Sequence, residues 1–149
     1  CAPVRVVLGA RAAEAVALLP DPALAVVAED WERGMSASLR AGLTALTGLT
    51  GPPAEAVLVH LVDLPDVGAP VVARLTVGVT ATTVARATYG GRPGHPVVIG
   101  RAHWPSVLAV LRGDRGARDW LAGRPDLVTV ECGDLAGGAD EDTPDGSPA

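Results

Sequence analysis

The chain of 149 residues is 48% hydrophobic and contains no apolar run of about 18 residues, which describes one soluble domain with a sizeable core and excludes a membrane-spanning helix. All 12 basic residues are arginines, so chemistry that needs a lysine, including a Walker-type phosphate loop, cannot be run by these residues. The net charge of −5 and the scatter of the arginines argue against a polynucleotide-binding face, while small phosphate-bearing ligands, which need only a few arginines, stay open.

Val4–Gly9 is β-rich and closes on glycine, and Ala12–Leu19 carries helix formers, so the chain begins as one βα unit. Ala23–Ala28 reads as a second strand and Glu29–Gly34 as a loop. Ser36–Leu46 reads as a helix with Ser36 or Met35 near its N-cap. The third strand is Ala56–Val62, an apolar run that ends in Asp63-Leu64-Pro65 and so presents a carboxylate at its C-terminal tip. Ala69–Leu75 is expected to be helical. Thr82–Tyr89 and Pro96–Ile99 are expected to pair around a Gly/Pro-rich turn. Helices over Trp104–Leu111 and Ala117–Ala122 and a final strand over Leu127–Glu131 complete an alternating pattern, which implies an α/β fold with a mostly parallel, three-layer sheet. We expect residues 1–132 to form the domain and residues 133–149 an acidic Gly/Pro-rich tail.

Cys1 and Cys132 lack the spacing of a zinc knuckle or redox pair and read as unpaired thiols of a reducing cytoplasm. The chain opens on Cys1-Ala2-Pro3 with neither a leader pattern nor an initiator Met, so further sequence is expected upstream. Nucleophile-elbow, HExxH and dinucleotide-fingerprint patterns all fail on inspection.

Four segments carry candidate chemistry, each with a plainer reading beside it. Asp63 suits either a metal ligand at a strand tip or an ordinary turn. Arg92-Pro93-Gly94-His95-Pro96 sets a guanidinium and an imidazole in a stiff turn, suited to holding phosphate or a planar ligand, or serves as a simple hairpin connection. Gly113-Asp114-Arg115-Gly116-Ala117-Arg118 places two arginines where a helix begins, an anion site or ordinary capping by Asp114. Asp140-Glu141-Asp142 is either a solvated tail or the rest of an oxygen-ligand site for Mg²⁺ with Asp63. His60 within a strand, His103 beside Trp104 and Trp120 at helical spacing read as structural residues.

Taken together and in order, Val6-Val7-Leu8-Gly9-Ala10, Gly34-Met35-Ser36-Ala37-Ser38-Leu39, Asp63-x-Pro65, Arg92-x-Gly94-His95-Pro96, Gly113-Asp114-x-Gly116-Ala117-Arg118 and Asp140-x-Asp142-Thr143-Pro144 resemble the MobA-like NTP transferases, in the molybdenum cofactor cytidylyltransferase branch. The resemblance implies a Rossmann-like sheet. It also implies transfer of a nucleotide, CMP from CTP, to the phosphate of a molybdopterin-type cofactor with release of pyrophosphate. By the same resemblance Asp63 and Asp140 bind Mg²⁺, with Asp142 as the other candidate carboxylate. Gly34 and Ser38 belong to the nucleobase pocket, while Arg92, His95, Arg115 and Arg118 face the acceptor and its phosphate. A molybdoenzyme or maturation factor is the implied protein partner. The family's glycine-rich loop and its lysine do not occur here, so either the first strand and helix of the family domain lie upstream of Cys1 or the chain is a remnant whose gap something else fills. Glu141 stands where the family carries an apolar residue. Two alternatives follow: transfer to another small phosphorylated acceptor, and a non-catalytic binding or maturation module derived from this fold.

Overall fold

The computed structural model of the chain describes residues 1–49 and 52–139. In chain order its elements are β1 (Val6–Leu8), α1 (Ala12–Val16), β2 (Ala25–Val27), α2 (Met35–Thr47), β3 (Ala56–Val59), α3 (Ala69–Leu75), β4 (Val84–Tyr89), β5 (Arg92–Gly100), α4 (Trp104–Val110), α5 (Arg118–Leu121) and β6 (Leu127–Glu131). They fall into two units: Cys1–Ala54 with Ala102–Pro125, and Glu55–Arg101 with Asp126–Ala149. The α/β expectation is borne out.

In the first unit, β1 and β2 pair in parallel, with Val7 opposite Val26, joined by the crossover through α1. Gly42 of α2 explains how that helix lies close on β1: a Cβ there would stand 3.0 Å from Val7 Cγ2. Leu39, Leu43 and Leu46 share one helical face with it, and Leu43 is buried. Arg40 reaches from α2 to the carbonyls of Leu108 (2.9 Å) and Leu111 (3.3 Å), placing a cation at the C-terminal end of α4. The expected strand at Ala23–Ala28 is narrower, because Pro22–Leu24 forms a 3₁₀ turn capped by Asp21.

The second unit holds a four-stranded sheet in the order β3-β5-β4-β6. β3 and β4 each run antiparallel to β5, and β4 runs parallel to β6. Of the described ladders two are parallel and two antiparallel, so the mostly parallel expectation gives way to a mixed sheet. The reason is local: Gly90 and Gly91 both take positive φ (58° and 77°), which makes a two-residue hairpin turn and forces antiparallel pairing of β4 with β5. The central strands carry the apolar core of this unit, with Val84, Ala87, Val98 and Ile99 fully buried. Against one face packs α3, whose Val71 and Leu75, four apart, join Leu64, Val67, Tyr89 and Cys132 in the core. Each such side chain contributes about 1.5–3 kcal/mol on burial. At the far end of β5, Gly100 donates to Thr83 O at 2.6 Å, and a Cβ there would stand 2.5 Å from the Ala81 carbonyl carbon.

Both cysteines are free, Cys1 exposed and Cys132 buried. Among the described residues, no helix is long and apolar enough to cross a membrane.

Candidate functional site

The first unit gathers Gly34 and the 113–116 segment. Trp31–Arg33 forms a 3₁₀ turn, and Gly34 follows at φ 98° as the N-cap of α2, a conformation that a side chain opposes. A Cβ on Gly34 would lie 2.7 Å from the Gly113 carbonyl carbon and would meet Asp114 Oδ1. The start of α2 and the Gly113-Asp114 turn are therefore in backbone contact. Ser38 is half-buried on the second turn of the helix. Ser36, two residues earlier, was read from sequence only as a possible N-cap. Its Oγ is buried without a hydrogen-bond partner among the described residues, the condition in which a buried hydroxyl costs stability unless a ligand or water satisfies it. Its only signal in sequence was its position at the head of the helix.

Of the two arginines, Arg115 lies in the segment that meets Gly34, and Arg118 follows it. Arg115 ion-pairs with Asp119 at 3.1 Å on the surface, and Arg118 begins the single-turn helix α5. Beside them Trp120 donates from Nε1 to Ser106 Oγ at 3.1 Å, and Arg124 lies 4.0 Å from its ring centroid. His103 packs at a tilt with centroids 5.6 Å apart. The indole is thus enclosed by its neighbours, in keeping with the structural reading.

In the second unit β3 stops at Val59, three residues short of the expected Val62, because His60 turns its Nε2 to donate to Val67 O at 3.2 Å. Val62 is 95% exposed, and Asp63 stands exposed in the turn that follows. Arg92-Pro93-Gly94-His95-Pro96 is not the turn but the first half of β5. From Arg86↔Val97 to Thr88↔Pro93, two steps along β4 match four along β5, so Gly94-His95-Pro96 bulges out. Two β4 side chains satisfy the carbonyls this frees. Arg86 donates to Gly94 O (3.4 Å from both Nε and Nη2), and the Tyr89 hydroxyl donates to His95 O at 2.6 Å. The Tyr89 ring packs tightly on two glycines: a Cβ on Gly94 would stand 2.7 Å from Cε2, and one on Gly138 would collide with Cδ2 and Cε2. Burial raises the Tyr89 phenol above its ordinary pKa.

The residue that sequence reading missed most completely is Glu131, at the end of β6. Its carboxylate accepts from Thr88 Oγ1 (2.9 Å), Gly90 N (2.8 Å), Gly91 N (3.1 Å) and Gly133 N (2.9 Å). The chain then runs on as a strap. Arg74 holds Asp134 with two bonds (2.5 and 2.8 Å) and the Glu131 carbonyl with a third (2.9 Å). Asp66 Oδ2 accepts from Gly137 N (2.6 Å) and Gly138 N (3.2 Å). Hairpin and strap enclose two adjoining depressions of about 240 Å³ each, and both are walled by Tyr89, Arg92 and Gly137. Arg92 is exposed there and makes no hydrogen bond or ion pair among the described residues.

The Gly90 amide, followed by those of Gly91 and Gly133 and the Thr88 hydroxyl, lowers the Glu131 carboxyl to a pKa of about 2. A depressed folded-state pKa contributes stability that is present above the unfolded value, ~4.3, and is lost as pH falls through the folded value. The wild type should therefore lose more stability than Glu131→Gln between pH ~4.5 and 2, with the difference gone below that window. Urea unfolding at stepped pH measures it, and equal slopes for the two proteins would refute it.

Hard divalent cations require several oxygen ligands. Among the described residues, no group of three or more His, Cys, Asp or Glu could hold one. Asp63 offers one exposed carboxylate, and Asp140 and Asp142 lie outside the described residues. The residues in view do not by themselves fit a metal centre.

Three comparisons place the chain among known proteins. The family model described as the MobA-like NTP transferase domain matches residues 1–130. A nicotine blue oxidoreductase of Paenarthrobacter nicotinovorans is 36% identical over 152 residues, spanning 96% of this chain and 72% of that protein. A crystal structure of a homologue, from Mycobacterium sp. strain JC1, of the Mycobacterium tuberculosis protein Rv0371c superposes with a TM-score of 0.70 at 31% identity, covering 88% of this chain and 65% of its own. Rv0371c itself, from M. tuberculosis H37Rv and in complex with manganese, gives 0.67 at 29% identity over 85% of this chain and 66% of its own. The chain thus spans just under two thirds of these solved structures and shares their α/β nucleotidyltransferase fold. A match over residues 1–130, which takes in the Gly34 contact and the β4–β5 hairpin described above, establishes that the chain belongs to the MobA-like NTP transferase family.

Proposed function

We propose that the protein transfers a nucleotide, CMP from CTP, to the phosphate of a molybdopterin-type cofactor in the cytoplasm, releasing pyrophosphate. The family supports nucleotidyl transfer. The observation that carries the acceptor side is Arg92, a guanidinium unpaired among the described residues, beside a depression whose other walls are largely glycine backbone and which leaves room for a phosphate. An acceptor phosphate oxygen attacks the α-phosphorus of CTP in line. The α–β bridging P–O bond breaks, and its electron pair leaves with pyrophosphate. Arg92, with His95 in the bulge beside it, orients the acceptor phosphate. Gly34, Ser38 and the orphaned Ser36 hydroxyl serve the nucleobase, and Arg115 and Arg118 are secondary phosphate contacts. A divalent cation, Mg²⁺ or the manganese that Rv0371c binds, offsets phosphoryl charge when bound. Asp63 is our candidate ligand from the described residues, with Asp140 or Asp142 as its partner.

Pyrophosphate release from CTP and molybdopterin tests this directly. Arg92→Ala should raise KM for the acceptor about 10–100-fold with a smaller change in kcat, the cost of a charge-assisted hydrogen bond pair of roughly 1.5–3 kcal/mol. Asp63→Ala should slow release at every acceptor concentration. Wild-type protein that releases no pyrophosphate above the uncatalysed rate would end the proposal. A second reading, an oxidoreductase acting on a planar dye, is favoured by the name of the 36% identical relative. Bleaching of nicotine blue with a nicotinamide reductant, without any CTP dependence, would select it.

A further inference from the structure

We propose that Glu131 is a positioning residue, whose carboxylate ties the Gly90-Gly91 turn and the Gly133–Ala139 strap together so that Arg92 faces a preformed anion subsite between them. The inference rests on reading Arg92 as a phosphate contact and adds what holds it in place.

Three observations converge. Glu131 takes four donors from three separate places: the β4 strand at Thr88, the hairpin turn at Gly90 and Gly91, and the start of the strap at Gly133. The two turn amides it holds come immediately before Arg92, whose Cα pairs with Tyr89 across the hairpin. A two-residue turn built from glycines is intrinsically loose, since both residues reach many conformations at little cost. One carboxylate accepting both amides removes that freedom, and the direction in which Arg92 leaves the turn is then set.

The opposite wall is fixed by the same group and two more. Glu131 holds Gly133, Arg74 holds Asp134, and Asp66 holds Gly137 and Gly138. The amides of the glycines lining the depressions are therefore committed to protein carboxylates: Gly90 and Gly133 to Glu131, Gly137 and Gly138 to Asp66. They build the walls and do not serve as ligand donors. The guanidinium of Arg92 is left as the group that can bind a ligand, and its planar fork suits a phosphate or carboxylate oxygen pair. Pro93, Ala136 and the edge of Tyr89 supply apolar surface beside the glycine backbone. The chemistry recognised is a phosphate monoester carried on an uncharged, weakly polar body.

Phenyl phosphate is a suitable probe, followed by amide chemical shifts of residues 90–92 and 133–138 in the full chain. Wild type should bind it saturably with shifts at both walls, and Arg92→Ala should not. Glu131→Ala should weaken binding about tenfold, at the low end of what misplacing a contact side chain by an ångström costs. Glu131→Gln, which keeps an oxygen acceptor, should recover most of that loss. In the Arg92→Ala background Glu131→Ala should change nothing further. If Glu131→Ala does not fold, Gly133→Ala replaces it, because the new Cβ would stand 2.7 Å from Glu131 Oε1 and displace the carboxylate. Unchanged affinity in a folded Glu131→Ala or Gly133→Ala protein with a lowered Tm would show a purely structural role and overturn the inference. Probe binding with no pyrophosphate release would uphold the subsite while the transferase reading fails, so the two are distinguishable.

Discussion

Tyr89→Ala should lower unfolding stability by about 3–5 kcal/mol, the usual cost of emptying a large aromatic site in a core. Three features put it at the upper end. The ring is 4% exposed, and it is confined by the Cα atoms of Gly94 and Gly138, which cannot follow it inward without breaking strand and strap. Its hydroxyl donates to the His95 carbonyl in the bulge of β5, so truncation also removes that hydrogen bond. Tyr89→Phe keeps the packing and removes only the hydrogen bond, and should cost about 0.5–1.5 kcal/mol. Urea unfolding gives both values. Amide exchange should show Gly137 and Gly138 losing protection in Tyr89→Ala well before the central strands do. A cost below about 1 kcal/mol for the alanine variant would mean that the ring is not the pin between hairpin and strap.

Gly34→Ala should be nearly as damaging, for a different reason. A methyl group at φ 98° costs about 1–3 kcal/mol in backbone strain. The same methyl collides with the Gly113 carbonyl, an overpacking cost of about 1–3 kcal/mol, so the total is roughly 2–6 kcal/mol. Asp114→Ala alone, at an exposed position, should stay within about 0.5 kcal/mol. The double variant discriminates. It removes the clash with Asp114 Oδ1 but leaves the backbone one, so it should remain close to Gly34→Ala in stability. Full rescue by Asp114→Ala would show that the contact is made by side chain alone. For the proposed transferase, Gly34→Ala should also raise KM for CTP, because the head of α2 must move away from the 113–114 turn.

Several elements were legible in the chain itself. Ala69–Leu75 and Leu127–Glu131 are observed at the bounds expected from composition and flanking residues, and α2 differs from its expected span by one residue at each end. Local signals suffice there: helical spacing of Val71 and Leu75, β-branched residues from Val128 to Val130, glycines on either side of α2. The same local logic misjudged the hairpin. Gly90-Gly91 and Arg92–Pro96 both look like turn sequence, and the prolines drew attention to the second. Only the pairing of β4 with β5 decides between them, since the bulge at Gly94-His95-Pro96 depends on Arg86 and Tyr89 from the neighbouring strand to satisfy its carbonyls.

The candidate site divides in the same way. Residue types and order sufficed to name Gly34, Asp63 and Arg92 and to indicate the family, because backbone glycines, strand-tip acids and guanidiniums advertise their chemistry in sequence. Glu131 could not be read, being one acid at the end of one strand and forty residues from the turn whose amides it accepts. Hydrogen bonds across that separation exist only once β6 lies parallel to β4, and no local propensity encodes them. The sequence by itself determined the α/β class and the family, and it singled out Arg92 as a candidate phosphate contact. Tertiary structure alone decided the mixed sheet, the pinned strap and the carboxylate of Glu131 that joins hairpin to strap.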